Sequence, residues 1–115
     1  MGLAKELRNR RKLEAREVIV PEWGDDSGAF KLYCRPITCY DMNQLQKKHP
    51  NFLTNTTIAA MVDLIIMKAE DQSGERLFTA ADDRMELMGE HTDVISNIAN
   101  QMFADLESEE DLVKN

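Results

Sequence analysis

At 115 residues, with 30% charged and 43% hydrophobic side chains, the chain has the make-up of one soluble globular domain that needs neither disulfides nor a structural metal to bury a core. Its net charge of −7 is unevenly placed: residues 1–48 carry ten Lys/Arg against seven Asp/Glu, residues 49–115 four against fourteen, so a basic arm precedes an acidic body. Such a body disfavours a polyanionic partner, and no apolar run approaches the about 20 residues that a membrane-spanning helix requires.

In chain order, Gly2–Glu17 is rich in helix formers and predicts a basic N-terminal helix within residues 1–17. Leu3 and Leu7 lie one turn apart and Leu13 falls off that line, so the apolar stripe is thin. Arg8, Arg10, Arg11 and Lys12 circle the helix, which suits a solvated arm facing the chain's own acidic half better than a nucleic-acid contact. Two extended segments, Val18–Trp23 and Ala29–Arg35, flank the turn residues Gly24–Gly28 and predict a β-hairpin. Pro21 suits an edge strand or a bulge. Trp23, beside the turn, is either a core lid, the commoner fate, or an exposed anchor for a partner.

Thr38-Cys39-Tyr40-Asp41 reads as a capping box with Asp for Glu, opening a short helix that stops near His49, before Pro50. Phe52 and Leu53 fall in the connection to the longest apolar run, Asn55–Glu70, which predicts the central helix of the domain. Ile58, Met61, Val62, Ile65 and Ala69 share one face, and Leu64 and Ile66 widen it, so more than one neighbour must cover it. Thr56, Asp63 and Glu70 mark the wet side, with Met67 among them, and this helix is the expected support for the hairpin. Asp71–Glu75 reads as a plain turn, since it lacks the ligand spacing of a calcium loop. Thr79–Asp82 predicts a further cap and a helix through Met85, Leu87 and Met88 that Gly89 ends. Thr92 opens a last amphipathic helix, to about Leu106, with Ile95, Ile98, Ala99 and Met102 on one face. Glu107–Asn115 reads as an acidic, frayed tail. The expected fold is α+β: an N-terminal helix and one β-hairpin packed against a bundle of about four helices, forming a single domain over residues 1–106.

Little in the chain points to catalysis. Cys34 and Cys39 are spaced wrongly for a metal pair, His49 and His91 stand far apart, and the five glycines form no phosphate-cradling loop. Asp82 and Asp83 are accounted for by a helix N-terminus, where negative charge is favoured. The chain reads as a non-enzyme with no catalytic, cofactor or metal site. A binding role remains, and Met67, Met88 and Trp23 are the candidate partner-binding residues, because methionine adapts to varied apolar surfaces and tryptophan anchors them.

The order of the parts resembles a family. A basic helix, a strand ending Val20-Pro21-Glu22-Trp23-Gly24, a second strand Lys31–Arg35, a capped helix, and an apolar helix followed by Asp71–Phe78 (DQSGERLF) are similar to the tail assembly chaperones of long-tailed, siphovirus-type bacteriophages. The likeness runs roughly from Gly2 to Phe103. It implies a protein that binds the tape measure protein, keeps it soluble and helps bring major tail tube subunits to it, and it leaves self-association open. It further implies a host-cytoplasmic protein that is absent from the mature virion. A longer, frameshifted product is also expected of such a gene, and the A-rich codons of Lys114-Asn115 are compatible with one. The absence of an apolar signal segment, and Glu6 in place of the Ser/Thr needed for myristoylation, agree with the cytoplasm. The alternatives are another phage structural or connector protein, or a small nucleic-acid-associated regulator that uses the Arg8–Lys12 arm.

Overall fold

The computed structural model describes residues 2–10 and 15–114, with side chains described as far as Phe103. Its elements are α1 (Leu3–Asn9), β1 (Arg16–Asp25), β2 (Gly28–Cys34), α2 (Cys39–Lys48), α3 (Ile58–Lys68), β3 (Ala69–Glu70), α4 (Ala80–Met88) and α5 (Thr92–Lys114). This is the expected α+β architecture of an N-terminal helix, a hairpin and four further helices, with one short strand added. The N-terminal helix is shorter than residues 1–17. It ends at Asn9, residues 11–14 lie outside the described part, and Arg16 and Glu17 already pair with Cys34 and Tyr33 in the sheet.

β1 and β2 form an antiparallel hairpin whose alternation turns Val18, Val20, Leu32 and Cys34 into the core. The pairing is regular from Arg16↔Cys34 to Val20↔Phe30 and resumes at Asp25↔Gly28, so Pro21, Glu22, Trp23 and Gly24 together oppose Ala29 alone. Pro21 therefore sits at a bulge on an edge strand, the two settings in which its missing N–H is harmless. The bulge folds back on the turn so closely that a Cβ at Gly24 would meet the Gly28 carbonyl oxygen at 2.5 Å. Asp25 closes the turn by accepting from the Ser27 N–H at 2.9 Å and its hydroxyl at 2.6 Å.

The other side of β2 takes up Ala69 and Glu70 as β3, opposite Cys34 and Tyr33. Both residues are helix formers read as the end of the central helix, and sheet pairing overrides that preference. α3 is correspondingly shorter than Asn55–Glu70, and its cap is the Thr57 hydroxyl, which accepts from the Ala60 N–H at 3.2 Å. The predicted capping box of α2 is present in both directions, Asp41 N–H to Thr38 Oγ1 at 3.1 Å and Thr38 N–H to Asp41 Oδ2 at 3.0 Å. At α4 the Thr79 hydroxyl accepts from Asp82 N–H, but Thr79 N–H in return donates to Asp83 Oδ2, one residue later than expected. α5 starts on the His91 carbonyl, which accepts from Val94 and Ile95, one residue before the expected Thr92 cap, and its helical backbone runs on to Lys114, past Leu106.

One core unites the sheet and the bundle. Val18, Val20 and Leu32 belong to the same buried cluster as Leu45, Leu64, Ile65, Ile95 and Ile98. Phe52, placed by sequence in a mere connection, is 2% exposed and packs its ring on Phe103 at 5.8 Å. The helix docked against β1 is α5, where the Asn55–Glu70 helix was expected; α3 packs on α2, α4 and α5. No helix among the described residues is long and apolar enough to cross a membrane.

α5 also closes the sheet. The Gln101 side chain accepts from the Ile19 N–H at 3.0 Å and donates to the Ile19 carbonyl at 2.9 Å, so one amide occupies the place of a neighbouring strand. Two residues on, at the next outward-facing position, Pro21 has no N–H to offer. Gln101→Ala is expected to lower stability by about 1 kcal/mol, the net worth of hydrogen bonds of this kind, and to speed aggregation in light scattering at equal protein concentration. Unchanged scattering would show that the edge needs no plug.

Candidate functional site

The bulge decides where the one tryptophan lies. Displaced from the strand's alternation, Trp23 stands half-buried with its ring edge-on to Phe30 at 6.1 Å and to Phe78 at 6.0 Å, while its indole N–H donates to Glu90 Oε2 at 2.8 Å. Aromatic pairs prefer this arrangement, and the polar end of the indole is satisfied at the surface. Together with Leu87 and Glu86 these residues line an open groove of about 390 Å³. Its floor is aromatic and its rim carries two carboxylates. Trp23 is thus both of the things that sequence allows, a partial lid on the core and a surface that a partner can reach.

Glu90 keeps its charge firmly. The hydrogen bond from Trp23 and, next, that from the His91 N–H hold its carboxyl below the ordinary range. Glu86 lies fully on the exposed side of α4, as does Met88 at 40% exposure and, three residues before it, Met85 at 80%. Of the candidate partner-binding residues, then, Met88 and Trp23 are surface groups on adjoining elements. Met85 lies two residues, about 200°, from the buried Leu87, a spacing that puts it on the opposite side of the helix.

Met67 is elsewhere. It is half-buried against the core, a correction to its placement on a wet face, and it lines a second groove of about 400 Å³ with Tyr40, Gln44, Lys48 and Arg76. The reason is its neighbour Asp63, also assigned to the wet side and in fact only 8% exposed. Asp63 Oδ1 accepts from Arg84 Nε at 2.8 Å, and its Oδ2 accepts from His49 Nε2 at 2.7 Å, which places a proton on that ring nitrogen. α3 therefore has no wet side at this level: α4 and the end of α2 cover it. Burial pushes the Asp63 carboxyl up, but the bonds from Arg84 and His49 outweigh burial, and the group lies below its ordinary range. A second, similar tie joins Lys68 Nζ to Asp41 Oδ2 at 2.9 Å and to the Pro36 carbonyl at 3.3 Å, fixing the end of α3 to the start of α2.

The thiols are separate and different: Cys34 is buried and Cys39 exposed. Among the described residues no group of three or more His, Cys, Asp or Glu is placed to hold a metal ion. In the loop Asp71–Glu75, Asp71 Oδ1 accepts from the N–H groups of Ser73 and Glu75, and Gly74 takes φ +93°, so that carboxylate serves the turn itself. In comparisons with protein-family models, curated proteins and solved structures, nothing matches the chain.

Two outcomes are expected here. Asp63 has its pKa lowered by folding, so its contribution to stability is present in full above the ordinary carboxylate range and is lost as the pH falls through its folded pKa. Asp63→Asn should therefore flatten the acid side of a plot of urea midpoint against pH; an unchanged slope would assign acid unfolding to other carboxylates. At neutral pH the same substitution is expected to cost about 2 kcal/mol, less than a fully buried pair because Arg84 keeps contact with water. Glu90→Gln should shift the emission of Trp23, the chain's single tryptophan, with the melting temperature little changed.

Proposed function

We propose that this chain is a non-enzymatic tail assembly chaperone of a long-tailed bacteriophage, which binds the tape measure protein, keeps it soluble and helps bring tail tube subunits to it. Two observations support the reading: the aromatic groove of Trp23, Phe30 and Phe78, which Glu86 and Leu87 of α4 help to line, and the exposed methionines Met85 and Met88 on the same helix outside the groove. A long helical client with apolar stripes requires such a surface. The aromatic floor offers rigid area, and the thioethers repack against side chains of differing shape. Glu86 and Glu90 at the rim keep charge next to the covered stripe, so the complex stays soluble.

The action is stoichiometric and involves no covalent step. Each apolar patch covered on the client removes about 25 cal/mol per Å² of apolar surface from water, and the client's tendency to self-associate falls accordingly. The protein works in the host cytoplasm and leaves before the particle is complete. An interface of this apolar kind has an affinity that varies little with salt, unlike a nucleic-acid contact through the basic arm, which weakens steeply as counterions compete.

Co-expression with the tape measure protein is expected to keep that protein in the soluble fraction and to co-purify the two. Met85→Asp and Met88→Asp, both at exposed positions, should reduce the recovered client severalfold without altering the chaperone's own melting temperature; Met67→Asp, at a half-buried position, should instead destabilise the fold. A tape measure protein that precipitates equally with and without this chain would remove the basis for the reading.

A further inference from the structure

Two surfaces of this molecule are unmatched within it and match each other. α1 buries none of its residues, and Leu3 and Leu7, one turn apart, are 65% and 48% exposed. Around them stand Lys5, Arg8 and Arg10 against the single carboxylate of Glu6. Near the far end of β1 lies the groove floored by Trp23, Phe30, Phe78 and Leu87, with Glu86 and Glu90 at its rim. Glu86 has no ion-pair or hydrogen-bond partner for its side chain among the described residues. Two leucines on a basic turn of helix complement an aromatic groove with an acidic rim, both in polarity and in sign of charge.

We propose that α1 of one copy of this chain docks in the Trp23 groove of a second copy. Reach favours the second copy over the arm's own body. Asn9 precedes Arg16 by seven positions, at most about 25 Å of fully extended chain, and Trp23 follows Arg16 by seven positions along β1, up to about 23 Å away. Even with the about 9 Å that α1 adds between Asn9 and Leu3, an arm returning to its own groove must hold much of its link extended back along the strand, which costs conformational entropy. A second copy removes that constraint, and reciprocal exchange of arms closes the contact as a two-fold dimer. The Leu3–Leu7 stripe, too thin to hold α1 on its own body, then gains its cover from the partner. This inference rests on the geometry of the groove and arm and not on any client.

The test uses the full chain alone, with no client present, so that its failure leaves the chaperone reading untouched. Sedimentation equilibrium from low to high micromolar protein is expected to show a mass rising from 13.2 kDa towards twice that value, with Trp23 emission shifting over the same range. Leu3→Asp with Leu7→Asp, both at exposed positions, should weaken association at least tenfold and leave the melting temperature unchanged. Glu86→Lys alone and Arg8→Glu alone should each weaken it, and the chain carrying both should regain it. A mass that grows beyond two copies with the same dependence on Leu3 and Leu7 supports the docking in a head-to-tail form. The proposal is overturned by a mass of one chain at every concentration, or by association indifferent to Leu3 and Leu7. It is equally overturned by a Trp23 emission that the leucine variants shift but concentration does not, which would put the arm in its own groove.

Discussion

The arrangement of the helices depends on a single buried carboxylate. Asp63, in the middle of the most apolar helix of the chain, reaches Arg84 on α4 and His49 at the end of α2 at once. Burying a charge is costly unless its partners are in place, so the site tolerates only the packing in which both donors arrive. The constraint falls hardest on α4. That helix buries only Leu87, and so little apolar area would hold it loosely without the Arg84 tie. Since α4 supplies Leu87 and Glu86 to the aromatic groove, the groove's shape is set in part by an ion pair that does not line it.

Much of this fold is legible in the amino-acid order because it is written locally. The hairpin follows from alternation on either side of a turn sequence, and the starts of α2 and α4 follow from Thr residues whose hydroxyls meet the N–H three positions on. The buried face of α5, with Ile95, Ile98, Ala99 and Met102, follows from its period. What escapes is what two distant segments decide together. Asp63 looks like a solvated residue because its partners lie 14 positions before it and 21 after, in other helices. Ala69 and Glu70 look helical because nothing nearby announces that β2 has a vacant side. Phe52 looks like a loop residue until Phe103 arrives to meet it.

The site divides along the same line. Met88 is recognisable as a surface group from its position at a helix end, and the sequence leaves Trp23 between core lid and exposed anchor, whereas the groove itself joins Phe30 to Phe78, residues whose meeting no local pattern encodes. Met67 is the reverse case: its place on the helix wheel is read correctly, but the face it shares is covered because Asp63 draws α4 over it.

The Gln101 plug has a consequence for how this sequence can drift. The amide bonds to the backbone of Ile19 and leaves that residue's side chain half in solvent. Position 19 is therefore open to nearly any residue other than proline, while position 101 admits little besides glutamine: asparagine is one carbon too short to span the same two atoms, and a carboxylate has nothing to donate to the carbonyl. In a set of sequences that preserve this fold, variability should thus be lopsided across the contact, with the exposed strand residue free to change and the helix residue facing it held, although neither belongs to the core.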